Sequence, residues 1–296
     1  MAADISGTPH DQYPHPVAPS RVRCSGKILL SFLQEVALPS GCYSRIQSSR
    51  NREEVTLMAR EDRSNDAPRS IEVSTGIICG IDSSVQYRCG NTTILCVASL
   101  EEGTPKWNTK PSGWATADYQ MMPYSVTPRL DRVSHRSPDG RATEIKRLIG
   151  RSLRAGLDLS LMPGYTIRVD CDVLHADGGT RTASINACAV AVSLLIQQHL
   201  TSGIFATDPR RALILGMSAG ILDQELLVDL DYEEDSSASL DLNLIGTSTG
   251  EVVEVVGGCE RGPVAMETMQ SVIDAARGGI VQVSQMLDEH LVAMSP

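Results

Sequence analysis

Between residues 71 and 98 apolar positions alternate with polar ones: Ile71 and Val73, then Val85 and Tyr87, then Ile94, Cys96 and Ala98. A period of two marks half-buried strands, so three strands are expected, with Cys89-Gly90-Asn91 turning between the last two. Residues 103–113 carry Gly103, Pro105, Pro111 and Gly113 and read as a loop. After Ser137-Pro138-Asp139, which looks like a helix start, the period lengthens. Ile145, Leu148, Ile149, Ser152 and Gly156 then fall on one helical face. Arg147, Arg151 and Arg154 share another face, read as a solvated side rather than an RNA or subunit contact.

A further strand is predicted by Ile167, Val169, Cys171 and Val173. Asp177-Gly178-Gly179-Thr180 turns from it into a helix, from about Ser184 to Leu200, that is apolar on most faces and therefore central. Strands are expected near 212–221 and 226–232 around a turn at Asp223-Gln224, and a strand pair over 241–256 around Gly250. A closing helix is marked by Met266, Met269, Ile273, Ala276, Ile280, Val283 and Leu287. Hairpins mixed with helices indicate an α+β, two-layer fold.

Composition narrows the function. The 296 residues are 42% hydrophobic and 21% charged, enough to bury a core, and their net charge is −10. That charge excludes a basic protein that wraps nucleic acid regardless of sequence, though not a local basic patch. Eleven aromatic residues are too few for a base-stacking platform. The longest apolar stretch, around Ala187 to Ile196, contains Ser193 and is too short to span a membrane. Residues 1–57 carry several prolines near the start, no hydrophobic period and a net charge of +1, and read as a disordered extension. A short apolar run from Lys27 to Leu38 follows basic residues but is broken by Gln34 and Glu35, which argues against a signal peptide. Eight cysteines form no C-x-x-C pair, which argues against structural zinc and for a reducing, cytosolic compartment.

Two stretches carry chemistry. In Gly178-Gly179-Thr180-Arg181-Thr182-Ala183-Ser184 the glycines would let backbone approach an anion at a helix start. Thr180 and Ser184 would add hydroxyls, and Arg181 a phosphate-matching fork. The alternative is an ordinary strand–turn–helix junction capped by Ser or Thr. The other stretch is acidic: Asp229, Asp231, Glu233, Glu234, Asp235 and Asp241, hard ligands suited to Mg²⁺ or Mn²⁺ unless they are simply surface acids. Gly216-Met217-Ser218-Ala219-Gly220 imitates a nucleophile elbow, but a strand rather than a helix follows it. His175 adjoins the glycine turn and is read as structural.

These residues resemble the bacterial ribonuclease PH family. Arg141 to Arg154 is similar to its G-R-T-x-E-I-x-R-L-I-G-R-S-L-R segment. Val169 to Leu174 and Ala176 to Ile185 follow V-D-C-D-V-L-Q-A-D-G-G-T-R-T-A-S-I. Asp229 to Ser236, with Asp241 and Asn243, resembles D-L-x-Y-x-E-D-S-x-x-x-x-D-x-N, and Ala98 to Pro105 also matches. Met58 to Asp66 looks like the family's start, M-x-R-x-D-G-R, without its glycine. The chain accordingly divides into an extension, 1–57, dispensable or from an over-long start, and a catalytic domain, 58–296. Asn186-Ala187 stands where the family has Thr-Gly, Tyr124 where it has an arginine, and Lys110-Pro111-Ser112 where glycines are usual.

The resemblance implies the two-layer ribonuclease PH domain (ribosomal protein S5 domain 2-like) in a homohexamer, a trimer of dimers. It also implies a cytoplasmic, phosphate-dependent 3′→5′ exoribonuclease that trims tRNA precursors and other RNA 3′ ends. Arg141, Gly179, Thr180 and Arg181 would bind the attacking inorganic phosphate. Asp235 and Asp241 would be catalytic and hold a divalent metal, Mg²⁺ for preference. Arg129 and Arg132 would touch RNA or a neighbouring subunit. The alternative is a non-catalytic, exosome-like ring subunit that binds RNA without cutting it.

Overall fold

The computed structural model describes residues 60, 63–131 and 140–293, with side chains through Asp288. The expected extension, the helix start at Ser137-Pro138-Asp139 and Arg132 lie outside the described residues. The first sheet has five strands: β1 (Ile71–Thr75), β2 (Ser84–Cys89), β3 (Thr92–Glu102), β4 (Trp114–Met121) and β5 (Tyr165–His175). Their spatial order is β1-β2-β3-β5-β4, antiparallel except for the β4–β5 pair. A parallel pair needs a crossover, and α1 (Gly140–Gly156) supplies it. The second sheet is antiparallel, ordered β7-β6-β8-β9, from β6 (Leu215–Leu222), β7 (Glu225–Val228), β8 (Leu240–Gly246) and β9 (Val252–Cys259).

The strands read from alternation are present. In β3 every second residue from Thr92 to Ala98 is buried, as a one-sided sheet requires. Both central residues of the β6–β7 turn, Asp223 and Gln224, have positive φ (49° and 70°), which matches the twist of a tight hairpin. The predicted face of α1 is buried, Ile145, Leu148, Ile149, Ser152 and Gly156 among it. Its arginines are not simply solvated, however. Arg151 forks onto Glu254 of β9, and Arg154 lies 4.6 Å over the Trp114 ring while donating to Ala115 O.

The central helix, α2 (Thr180–Thr201), starts four residues earlier than predicted and packs on β2, β3 and β5 of one sheet and β6 of the other. At 22 residues it is long and apolar enough to cross a membrane by length and composition, but 72% of that window is buried inside the protein. It is therefore the core helix. Asn186 ties it to β6: its Oδ1 accepts from Gly216 N at 2.8 Å and its Nδ2 donates to Gly216 O at 3.1 Å. The closing helix, α4 (Met266–Ala293), packs on β6, β7 and β8. Among the described residues, the elements not predicted are β4, a single 3-10 turn (Leu159–Leu161) and a short acidic helix, α3 (Tyr232–Ser237).

Candidate active site

The turn from β5 to α2 is shaped by close backbone approach. Gly178 and Gly179 have φ of 69° and 60°, the left-handed region that favours glycine. A Cβ on Gly178 would sit 2.4 Å from the Asp231 carbonyl carbon and 2.6 Å from Leu230 O. On Gly179 it would sit 2.9 Å from Arg69 Nη2. The glycines thus admit the 229–231 segment and an arginine, where the sequence suggested room for an anion.

The anion-binding features lie one residue further on. Gly179 is the N-cap of α2 and offers no side-chain cap, so capping by Ser or Thr is ruled out. The first intrahelical bond runs from Ala183 N to Gly179 O, which leaves the preceding amides without an acceptor in the helix. Thr180 Oγ1 accepts from Tyr119 OH at 3.1 Å. Arg181 Nη2 donates to Glu144 Oε2 at 3.1 Å, joining the starts of α1 and α2, while its Nε is buried with no hydrogen-bond partner. An orphaned buried donor beside open helix amides is what an anionic ligand would satisfy. Ser184 does not join them: it lies fully buried inside α2, its Oγ unpartnered.

Arg141, exposed on the first turn of α1, and Arg181 both act electrostatically on Asp235 of α3. Burial pushes the Asp235 carboxyl above its ordinary value, and the two guanidiniums oppose it. Asp241, on β8, is also pushed up, by burial first, then by Asp235 and Glu260, with Arg181 in opposition. Two cations and two carboxylates from four elements therefore share one electrostatic neighbourhood. A divalent metal fits this donor set: two hard oxygen ligands, each held reluctant to ionise, gain most from a nearby cation.

The acidic run does not act as a unit. Asp231 caps α3, accepting from Glu234 N at 2.9 Å, while Glu234 Oε2 accepts from Asp231 N at 3.0 Å, a capping box. Asp229 and Glu234 are neutralised by arginines that the sequence reading did not place at the site. Arg60 forks onto Glu234 at 2.5 and 2.7 Å, and Arg63 Nη2 donates to Asp229 O at 2.9 Å and Glu234 Oε2 at 3.3 Å. Arg69 is 7% exposed; it grips both Asp229 oxygens and donates to Asp177 O at 2.6 Å. Asp229 and Glu234, two of the six acids in the run read as suited to a metal, are thus held in ion pairs. The density of negative charge was itself the signal that basic partners had to be near.

The remaining candidates separate. Arg129 is exposed in the loop after β4. His175 Nδ1 lies 2.8 Å from Asn91 O, a structural role. Ser218 sits inside β6, opposite Asn243, its Oγ accepting from Leu230 N, so it is no nucleophile elbow.

Residues 67–195 match the model of ribonuclease PH, the 3′ exoribonuclease family, domain 1, and residues 212–279 match domain 2. The chain belongs to the 3′ exoribonuclease family. Its two matched segments correspond to the two sheets with their helices, and the fold is that of the ribonuclease PH domain pair. Among solved structures it resembles rice (Oryza sativa) Rrp46, with 17% identity over 78% of this chain and 98% of that one at a TM-score of 0.63. It also resembles a chain of the Archaeoglobus fulgidus exosome with RNA bound to the active site (20% identity, 76% and 91% covered, TM-score 0.63). A chain of an archaeal exosome core is similar at 19% identity, with 76% and 89% covered and a TM-score of 0.61. At these identities the likeness concerns the fold.

Proposed function

We propose that this member of the family is a phosphate-dependent 3′→5′ exoribonuclease of the bacterial ribonuclease PH type, trimming tRNA precursors and other RNA 3′ ends. The observation that carries the reading is the meeting of Arg141 and Arg181 with Asp235 and Asp241 beside the uncapped start of α2. Arg141, the Arg181 guanidinium and the amides at Gly179-Thr180-Arg181 hold inorganic phosphate against the repulsion of an anionic diester. An oxygen of that phosphate bonds to the terminal phosphorus, and the bond from phosphorus to the preceding ribose 3′-oxygen breaks. The 3′-oxygen leaves on the shortened RNA and takes a proton, while the terminal residue departs as a nucleoside diphosphate. Asp235 and Asp241 would hold Mg²⁺, which neutralises charge on the nonbridging oxygens when bound. Asp241 stays ionised, and Asp235, whose carboxyl burial holds above its ordinary value, is the group suited to deliver the proton. Arg129 and Arg132 would guide RNA or meet a neighbouring subunit of a homohexameric ring, in the cytoplasm.

The exosome chains among the similar solved structures lend support to a second reading: an exosome-like ring subunit that binds RNA, here without cutting it. One digestion separates the two. A 3′-extended tRNA is incubated with Mg²⁺, with and without inorganic phosphate. Nucleoside diphosphates released only with phosphate support phosphorolysis. RNA bound but uncut supports the scaffold, and nucleoside monophosphates in both arms defeat the phosphate pocket altogether.

A further inference from the structure

Three cysteines far apart in sequence meet in the core. Cys96 on β3 stands opposite Cys171 in the β3–β5 register, and Cys188 of α2 rests on both. Their sulfurs lie 3.2 Å (Cys171–Cys188), 3.9 Å (Cys96–Cys188) and 3.9 Å (Cys96–Cys171) apart, and each residue is at most 1% exposed. Among the described residues they are a set of three ligand atoms that all lie within 4.8 Å of one another. Metal–sulfur bonds of about 2.3 Å in a trigonal site put sulfurs about 4 Å apart, so the triangle is already near the size of a three-sulfur ligand set. A cavity of about 260 Å³ between α1, α2 and the segment before β6 has Cys188 in its wall.

Charge selects the occupant. The cluster is fully buried, and the negative Asp170 acts on Cys96 and Cys171. Three thiolates around a monovalent or divalent cation would leave net negative charge in this apolar site, which is costly. A trivalent centre bonded to three thiolates is neutral. It also needs only three ligands, as many as the site offers. We propose that Cys96, Cys171 and Cys188 form a binding site for a trivalent metalloid, taken up as its neutral hydroxide, with arsenous acid the probe.

The step balances without a redox partner. Three arsenic–oxygen bonds break and three arsenic–sulfur bonds form. Each thiol proton leaves with a hydroxide, so three waters are released. One thiol reacts first, and its neighbours close the chelate. The product links β3, β5 and α2, the helix whose first turn carries Arg181, so the preassembled triangle of the folded state holds it more tightly than an unfolded chain, whose thiols must first be brought together. At about a hundred times the dissociation constant the thermal midpoint should rise by roughly 5–10 °C.

The test treats the full-length reduced protein with arsenous acid, both folded and during refolding. Native mass spectrometry should show a gain of one arsenic less three hydrogens, and arsenic X-ray absorption three sulfur neighbours and no oxygen. The adduct and the rise in midpoint should persist in Cys24→Ala/Cys42→Ala/Cys79→Ala/Cys259→Ala and, in that background, vanish in Cys188→Ala. Cys96→Ala repeats the test should Cys188→Ala not fold, and both variants are checked by circular dichroism. An adduct surviving in either folded variant, arsenic–oxygen neighbours, or no adduct by either route overturns the proposal. Tighter binding of zinc than of arsenic would overturn the charge argument behind it.

Discussion

Arg69 closes around Asp229: Nη2 donates to Oδ1 at 2.7 Å, Nε to Oδ2 at 2.9 Å, and the Arg69 backbone N–H also reaches Oδ2, at 2.7 Å. Asp229 has φ of 57°, unusual for a residue with a side chain, and the clamp holds it there. The next two residues, Leu230 and Asp231, are those against which Gly178 packs, so one ion pair sets both the α3 start and the phosphate turn. Removing one partner strands a buried charge. Arg69→Met should therefore lower stability by about 3–5 kcal/mol. Urea unfolding of Arg69→Met, Asp229→Leu and the double variant checks this. The double variant should lose less than the sum of the singles, and simple additivity would mean that the pair is not coupled.

Acid should loosen the same network. Burial pushes Asp229 and Glu234 upward, but hydrogen bonds from Arg69 and Arg60 overcome it, and both carboxyls end below their ordinary values. A depressed folded pKa contributes stability that is complete above the unfolded pKa, about 4, and is lost as pH falls through the folded value. Stability of the native protein should thus fall with acid below about pH 4. Glu234→Gln should start less stable and show a shallower fall. Denaturation midpoints collected across that range give the comparison.

How far the sequence disclosed this arrangement depends on the range of each signal. Strands β1, β2, β3 and β5 and the faces of α1 and α4 were legible because large apolar residues recur at a fixed period. Strand β4 was missed although Ala115, Ala117 and Tyr119 alternate inward, since alanine barely stands out from its polar neighbours. Helix α3, Tyr-Glu-Glu-Asp-Ser-Ser, has no apolar period; its capping box and the arginines behind it hold it. At the site, Arg141, Arg181, Asp235 and Asp241 were found through motifs. The partnership of Arg69 with Asp229 spans 160 residues and leaves no local trace. The same holds for the three-cysteine cluster, whose members are 17 and 75 residues apart.

Gly178→Ala separates two costs. Alanine there would adopt positive φ and would drive its Cβ into the Asp231 backbone. Gly164→Ala provides the reference, since Gly164 has φ of 80° with nothing within 4 Å of the added carbon. The reference change should cost about 1–2 kcal/mol for the backbone alone. Gly178→Ala should cost more and should also raise the KM for phosphate, because α2 begins two residues later. Equal losses in the two variants would mean that the close approach to Asp231 relaxes freely.

Asp235→Asn should separate activity from stability. The folded protein resists ionisation of Asp235, so the neutral amide removes an unfavourable charge. The thermal midpoint should be unchanged or raised, while turnover falls by about 100- to 1000-fold, as when one preorganised electrostatic contact is lost. Phosphorolysis rates and melting curves on the same preparations decide it. Retained activity in both Asp235→Asn and Asp241→Asn would remove the metal assignment.

The pH profile offers the finest probe, through a residue that no motif marked. Glu260, exposed just after β9, helps hold Asp241 above its ordinary pKa, together with burial and Asp235. Turnover should need Asp241 ionised, so activity is lost as pH falls through that raised value. Glu260→Gln removes one repelling charge and lowers the Asp241 pKa, so the acid limb should move to lower pH with turnover at neutral pH unchanged. Salt should shrink the shift, since exposed charges are screened. Glu254→Gln serves as the control, because Glu254 is already paired with Arg151. An acid limb that stays fixed in Glu260→Gln would show that activity is governed by a group other than Asp241.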